Sequence, residues 1–203
     1  NVSSVGATPS SVSAVTPVGS SPLFAIDVSS LGGMYAGKIL LIGTEAGVGA
    51  RNSGTIMGSN ATEFAGVGEV SITLDGILQN SGRIQSDAQT AGSSTVTLGG
   101  TSAGGLQNTG TIYASGDATV RTKGNISNSG MMASFGNLTL TADGSASNIE
   151  SANSSLLAAG LSANGTLQSL GTAGDMRLMA TQTTSLSGQI IASNNITANA
   201  ASI

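Results

Sequence analysis

The sequence predicts an all-β protein, a parallel β-helix with coils of about 20 residues and loop excursions. A phrase of the type Asn-Ser-Gly-x-Ile recurs from Asn52, Asn80, Asn108 and Asn128, at steps of 28, 28 and 20 residues. The segments between these phrases alternate apolar and small polar residues, which is the period of a half-buried strand. Charged residues make up only 8% of the chain and aromatic residues 2%, so the core must be built from small and aliphatic side chains.

The composition also excludes several classes of function. Six basic and ten acidic residues give a net charge of −4, and because the basic residues are scattered we do not expect nucleic-acid binding. The absence of Cys excludes disulfides and Cys-based metal sites, and the absence of His removes the commonest metal ligand and general base. We therefore expect no metal and no cofactor.

The first 22 residues differ in character from the rest. They are rich in Ser, Thr and Val and contain three prolines, which predicts a linker over residues 1–22, with an extended edge segment as the alternative. This stretch lacks the features of a signal peptide, and nothing in the chain approaches the about 18 apolar residues of a membrane span. We expect an internal or mature piece of a longer protein, with the β-helix over residues 23–203.

Strands are predicted from Leu23 onward. Two strand-like runs, Phe24–Val28 and Lys38–Ile42, precede the repeats. Later strands follow the same alternation at Glu69–Gly76, Ser94–Gly100, Asp117–Gly124, Asn137–Gly144, Asp175–Ala180 and Asn195–Ala200. Since so short a repeat cannot pair its strands internally, its backbone groups must pair with the repeats before and after. We predict one inward column of Ile56, Ile84, Ile112 and Met132, and another of Val70, Val96, Ala118, Leu138, Met176 and Ile196.

The recurring Asn and Gly residues are predicted to form a structural ladder at one corner of each coil. Asn adopts the left-handed backbone conformation more readily than most residues, and its amide can bond to the next Asn in a stack. The predicted ladder consists of Asn52, Asn80, Asn108, Asn128 and Asn148, with Gly54, Gly82, Gly110 and Gly130 two positions later, where a β-carbon would clash. Polar ligands for a metal or glycan are the less favoured interpretation of these Asn residues.

Other motifs do not indicate catalysis. Residues 47–54 begin like a dinucleotide fingerprint, but Asn52 replaces the third Gly and no helix pattern follows. Asp117 and Asp175 occupy a position that Asn fills in other repeats, which indicates turn formation. We therefore predict no catalytic, cofactor-binding or metal-binding residue. Asn148–Ser187 is predicted to hold one coil with a long excursion, with two irregular coils as the alternative.

The segment FAIDVSSLGGMYAGKILLIGTEAGVGARNSGTI (Phe24–Ile56) strongly resembles the filamentous haemagglutinin family of large exoproteins, exported by two-partner secretion in Gram-negative bacteria. That family includes adhesins and the CdiA-type toxin-delivery proteins of contact-dependent growth inhibition. The Asn-Ser-Gly-x-Ile repeats, the segment AGDMRLMA (173–180) and Leu156–Leu167 are similar to its haemagglutinin repeats. The resemblance covers about residues 23–203 and is most specific in DVSSLGGMYAGKI.

The resemblance implies a right-handed β-helical shaft, secreted and displayed on the surface of a Gram-negative bacterium. It implies an outer-membrane transporter as partner, through a part of the parent protein outside this chain, and a receptor on a host or neighbouring cell. We expect a monomeric rigid spacer that presents a distal tip and is not an enzyme. The alternative is a receptor- or glycan-binding adhesin module that acts through loops at Ser59–Gly68, Asp87–Ser94 or Leu161–Gly174. An enzyme acting on polysaccharide is a third, less favoured hypothesis.

Overall fold

The chain is all-β in the part that the structure describes. The computed structural model describes residues 19–20, 22–59, 68–87, 95–100, 104–171 and 173–203. These residues hold 21 strands and no helix, and the strands form three sheets of seven strands each. Neighbouring strands in all three sheets are parallel, so the predicted all-β chain with parallel pairing is confirmed. The predicted linker, residues 1–22, lies almost entirely outside the described residues.

The strands are numbered in chain order, and every third strand belongs to the same sheet. Sheet A contains β1 (Phe24–Val28), β4 (Gly49–Asn52), β7 (Leu78–Asn80), β10 (Leu106–Asn108), β13 (Ile126–Asn128), β16 (Ile149–Ser151) and β19 (Thr184–Leu186). Sheet B contains β2 (Gly33–Ala36), β5 (Thr55–Ser59), β8 (Arg83–Asp87), β11 (Thr111–Ala114), β14 (Met131–Ser134), β17 (Leu156–Ala159) and β20 (Gln189–Ala192). Sheet C contains β3 (Lys38–Ile42), β6 (Glu69–Leu74), β9 (Thr95–Gly100), β12 (Asp117–Thr122), β15 (Leu138–Ala142), β18 (Met176–Ala180) and β21 (Ile196–Asn199).

The chain runs through the sheets in the order A, B, C seven times in succession. We call each set of three consecutive strands a pass. A strand pairs only with strands of the same sheet in the passes before and after, so each pass depends on its neighbours for its backbone hydrogen bonds. The parallel pairing separates successive passes by about 4.8 Å. The handedness of the path and its closure as a β-helix remain predictions.

Insertions between strands concentrate at one corner. The connection from sheet A to sheet B has two or four residues, and the one from sheet C to the next sheet A has three to six. The connection from sheet B to sheet C varies from one residue, at Gly37, to the sixteen residues 160–175. The region Asn148–Ser187 accordingly contains a single pass with a long excursion, as predicted. The A-to-B connections vary least, since they exceed two residues only at 29–32 and 152–155.

The core consists of inward-facing aliphatic columns fixed by the parallel register. Ile56, Ile84, Ile112 and Met132 pair in register and are at most 2% exposed. The second predicted column also pairs in register, from Val70 through Val96 and onward to Ile196. The first predicted column is therefore confirmed. In the second, Val70, Ala118, Leu138 and Met176 are buried as predicted, but Ile196 is 49% exposed because it lies in β21, the edge strand of sheet C. Both columns extend by one member at the first pass, since Met34 pairs with Ile56 and Ile39 with Val70.

The excursion between β17 and β18 folds over the outer face of sheet B. Leu161 is 9% exposed there and packs with Tyr113, Ala133 and Ala158 in a small apolar cluster outside the main core. The Tyr113 hydroxyl donates to the Leu161 carbonyl at 3.3 Å, and the Gln168 side chain donates to a backbone carbonyl of the preceding pass. Burial, and secondarily the negative charge of Asp87, raises the pKa of Tyr113 to about 12. The excursion is thus attached to the body by apolar and polar contacts.

Candidate functional site

Four of the predicted ladder residues form a continuous chain of side-chain hydrogen bonds. Asn52, Asn80, Asn108 and Asn128 end consecutive strands of sheet A and are 1 to 3% exposed. The Nδ2 of each donates to the Oδ1 of the next, at 2.8 Å, 2.7 Å and 2.8 Å in chain order. Because all of these carboxamides point the same way, each one bridges two passes.

Each ladder amide also reaches the backbone across the A-to-B corner. Asn52 Nδ2 donates to the Arg83 carbonyl at 3.1 Å, and Asn80 Nδ2 donates to the Thr111 carbonyl at 3.2 Å. Asn108 Nδ2 repeats the contact with the Met131 carbonyl at 3.1 Å. One carboxamide therefore joins its own turn, the next ladder residue and the start of the next pass in sheet B. Buried amides satisfied in this way hold the corner in a single geometry.

The ladder glycines are required by close packing of the backbone. A β-carbon added at Gly82 would overlap the carbonyl oxygen of Gly54, and one added at Gly110 would overlap that of Gly82. The left-handed conformation expected for the Asn residues is absent, because no residue other than Gly has a positive φ in the described ranges. That part of the prediction is wrong, since the ladder Asn residues are strand residues whose side chains, rather than their backbone torsions, make the corner.

Asn148 lies outside the ladder, contrary to the prediction. Asn128 pairs in register with Ser151, whose Oγ lies 2.5 Å from the Ser155 Oγ. The connection before β16 has six residues, 143–148, where the connection before β13 has three, 123–125, so the register moves by three positions. Asn148 consequently takes the place of Asn125 in its pass. There its Oδ1 accepts from the Thr183 backbone at 3.1 Å, as the Asn125 Oδ1 accepts from the Asn148 backbone at 3.0 Å.

A second series of polar residues holds the B-to-C corner. Asp117 Oδ1 accepts from the Asn137 backbone at 2.7 Å, and Asn137 Oδ1 accepts from the Asp175 backbone at 3.0 Å. Asp175 Oδ1 then accepts from the Asn195 backbone at 3.1 Å. These side chains fasten turns, which agrees with the interpretation of their alternating Asp and Asn identities. Among the described residues, no three acidic side chains come together as a metal site.

Ion pairs on the outer faces link neighbouring passes. The Arg51 guanidinium contacts the Asp27 carboxylate through two hydrogen bonds, of 2.5 Å and 3.1 Å, and this contact lowers the pKa of Asp27. Asp143 contacts Lys123 at 3.0 Å and Arg121 at 2.6 Å, and the hydrogen bonds from these two cations lower the pKa of Asp143. Such exposed pairs are worth little individually, so they orient neighbouring strands more than they stabilise the fold.

A groove runs over the outer face of sheet A, on the other side of the strands that carry the ladder. Its volume is about 440 Å³, and it crosses β10, β13, β16 and β19. Register pairing places a row of outward side chains along it: Gln107, Ser127, Glu150 and Ser185. A second row comes from the A-to-B turns and includes Thr109 and Ser129. Side chains alternate between the two faces of each strand, so the strands that bury the ladder residues present their middle, polar residues to this groove. Sequence reasoning did not find it, because the groove depends on which residues share a register.

The excursion is the one predicted binding loop that the structure describes almost completely. Side-chain hydrogen bonds of Ser162 and Asn164 hold its turn together, and the Thr166 backbone N–H donates to Ser162 Oγ at 3.0 Å and to Asn164 Oδ1 at 3.1 Å. Leu170, beyond this turn, is 79% exposed. The loops at 60–67 and 88–94 lie outside the described residues. No helix in the described ranges has the length and apolar character to cross a membrane.

Fold and site together define a repetitive all-β protein whose parallel strands stack in register and whose polar side chains hold the corners. The chain is 44% identical over 96 residues, 47% of its length, to the toxin CdiA of Yersinia pestis. It is 41% identical over 70 residues, 33% of its length, to the tRNA nuclease CdiA-2 of Burkholderia pseudomallei strain 1026b. The chain spans about 2% of the length of these two relatives. No protein-family model and no solved structure matches it.

These relatives support the resemblance to CdiA-type proteins, while the haemagglutinin-repeat shaft remains a prediction. The name of the Burkholderia relative corrects a second expectation, that the protein is not an enzyme, because a protein named as a nuclease is among those similar to part of this chain. That expectation rests on a sequence without His, and the described residues bring no three acidic side chains together. Residues that correspond to 2% of a relative are too small a basis for excluding an activity.

Proposed function

We propose that the chain is a shaft segment of a large CdiA-type protein of contact-dependent growth inhibition, a right-handed β-helix that acts as a rigid spacer for a distal functional part. The observation that carries the proposal is the repeated A, B, C order with parallel pairing to adjacent passes. A chain built in this way advances along one axis, and six steps of about 4.8 Å give a length of about 29 Å. Stacked passes that share one core suit a spacer, because bending would break register columns and ladder bonds together.

The proposal extends to the whole protein. It would leave a Gram-negative cell through an outer-membrane transporter of two-partner secretion, stay at the cell surface and engage a receptor on a neighbouring cell. The name of the Burkholderia relative brings a tRNA nuclease activity into the proposal as an activity of the whole protein. We propose that the segment itself is monomeric.

The spacer role is tested by removing one complete pass from the whole protein. Deletion of residues 109–128 joins Asn108 to Ser129, and since Asn108 and Asn128 are register partners, the shortened chain keeps its pairing. We expect this variant to be secreted and to inhibit neighbouring cells. Deletion of residues 111–122 is the control, because it removes β11 and β12 but keeps β10 and β13, so that two sheet A strands would follow each other without a path around the core, and it should abolish both. A register-preserving variant that reaches the surface yet no longer inhibits would contradict a passive spacer.

A binding role for the excursion is the second candidate, favoured by its position on the outer face of sheet B and by the exposed Leu170. Leu170→Ser removes the apolar group without touching the core. Leu31→Ser, at a fully exposed position in an A-to-B connection, is the matched control. Adhesion to target cells lowered by the first change alone would favour binding, and unchanged adhesion in both would favour the spacer.

A further inference from the structure

The groove over sheet A combines a concave surface with polar side chains that are not engaged by other residues. Within the described part of the chain, the side chains of Ser127, Glu150 and Ser185 make no hydrogen bond or ion pair. Inward or corner hydroxyls are used instead to satisfy the backbone, as when Ser147 Oγ donates to the Ala142 carbonyl at 2.6 Å. Donors and acceptors that are free in a concave surface are the groups with which a protein fixes a polar ligand.

The charge of the groove restricts the class of ligand. Glu150 is the one charged residue among those that line it. The nearest cation along the same outward row, Arg51, is already engaged by Asp27 at the other end of the sheet. A phosphodiester or polyanionic sugar would therefore meet a carboxylate and no free cation, which is unfavourable. Hydroxyl and carboxamide groups match a ligand that is itself rich in hydroxyls.

The spacing of the groove restricts the shape of the ligand. Its polar groups repeat once per pass, about every 4.8 Å, over four strands and hence about 14 Å. An extended peptide repeats every ~3.3 Å and would fall out of step with them. One pyranose ring of an extended glycan has nearly the length of one pass, so successive rings can meet successive rows. The A-to-B turns beside these strands have two residues, or four at 152–155, and line one side of the groove.

We propose that this outer groove of sheet A binds a neutral, extended oligosaccharide, lying across β10, β13, β16 and β19. Ser127 contributes its hydroxyl, and Gln107, whose Oε1 already accepts from Gln79 Nε2 at 3.1 Å, contributes its amide N–H groups. Glu150 disfavours acidic sugars. Since no aromatic side chain lines the groove, a single site is expected to bind weakly and to gain from repetition along a longer protein. This inference is independent of the spacer role.

The test is an NMR titration of the full 203-residue chain with cellohexaose and chitohexaose as neutral probes and an oligogalacturonate as the acidic probe. Ser127→Ile fills the groove and removes a hydroxyl at an outward position. Thr139→Ile, also outward and in the same pass but on sheet C, is the matched control. We expect a neutral probe to shift the amide signals of β10, β13 and β16, and Ser127→Ile to weaken its binding by about tenfold, the loss of one or two hydrogen bonds. Thr139→Ile should leave binding unchanged.

Glu150→Gln separates selectivity from binding. We expect it to leave the neutral probe unaffected and to improve binding of the acidic probe by several-fold. The proposal is overturned if neither neutral probe shifts groove signals up to its solubility limit. It is also overturned if Ser127→Ile and Thr139→Ile have equal effects, or if the acidic probe binds the unmodified chain better than the neutral ones.

Discussion

Truncation of a central ladder residue, Asn80→Ala, should be among the most damaging single changes. Three bonds of 3.2 Å or less join the Asn80 side chain to Asn52, Asn108 and Thr111. At about 1 kcal/mol each, their loss costs about 3 kcal/mol of unfolding free energy. Asn108 Oδ1 would also lose its ladder donor in the interior, which makes this figure a lower bound.

Asn148→Ala is the internal comparison, because sequence alone would assign both residues to the ladder. Asn148 is half-buried and its side chain accepts one bond, from the Thr183 backbone at 3.1 Å, so we expect a loss of about 1 kcal/mol. Urea unfolding followed by circular dichroism gives the two midpoints. Because stacked repeats can unfold in parts, native-state amide exchange in β7 and β10 should accompany it. Equal losses in the two variants would refute the reasoning.

Three further predictions concern single side chains. Thr184 is 1% exposed and its Oγ1 has no hydrogen-bond partner in the described structure. Thr184→Val should therefore raise the free energy of unfolding by about 1 kcal/mol and the urea midpoint with it. A lower midpoint would show that the hydroxyl is satisfied. The pKa of Tyr113 is raised to about 12 by burial and Asp87, so stability should fall between about pH 10 and 12 as the phenol ionises. Deletion of residues 161–170 removes Leu161, which packs on the ring, and should bring the pKa measured by ultraviolet titration back toward 10; an unchanged pKa would contradict burial by the excursion. The pKa of Asp143 is lowered by Lys123 and Arg121, so its contribution to stability is complete above the ordinary Asp pKa of 3.8 and is lost as pH falls through the lowered value. Asp143→Asn should therefore reduce the loss of stability at acid pH. An unchanged dependence of stability on acid pH would contradict the pairing.

The core and three of the four ladder steps could be predicted because they depend on periodicity. The columns through Ile56 and Val70 follow from alternation within strands and from the spacing of the Asn phrases. The fourth step, from Asn128 to Asn148, was wrong because the 20-residue spacing points to Asn148 whereas the strand register pairs Asn128 with Ser151. The extra residues of 143–148 form a turn in which Ser147 is 1% exposed and bonds the Ala142 carbonyl. A longer turn stabilised in this way changes the register without leaving a periodic signal.

The candidate site was less accessible to sequence reasoning. Gln107, Ser127, Glu150 and Ser185 have no common residue type and their spacing in the chain is irregular. They form a row only because β10, β13, β16 and β19 pair in one register. The packing of Leu161 on Tyr113 is similarly hidden, since it joins residues 48 positions apart across the outer face of a sheet. Long-range contacts of this kind are determined by the assembled structure rather than by local pattern.

The ladder amides all point the same way, so their row of hydrogen bonds runs in one direction, from each pass to the following one. Asn52 Oδ1 accepts from the Gly54 backbone of its own turn at 3.2 Å, whereas its Nδ2 extends to the following pass. A chain that emerged N-terminus first and folded as it emerged would therefore present, at its unfinished end, a donor that only the next pass in correct register could satisfy. Each completed pass would serve as the template for its successor, and a misaligned one would leave that amide unsatisfied. The same bonds that hold the finished corner could thus set the order of assembly and reject errors of register along the way.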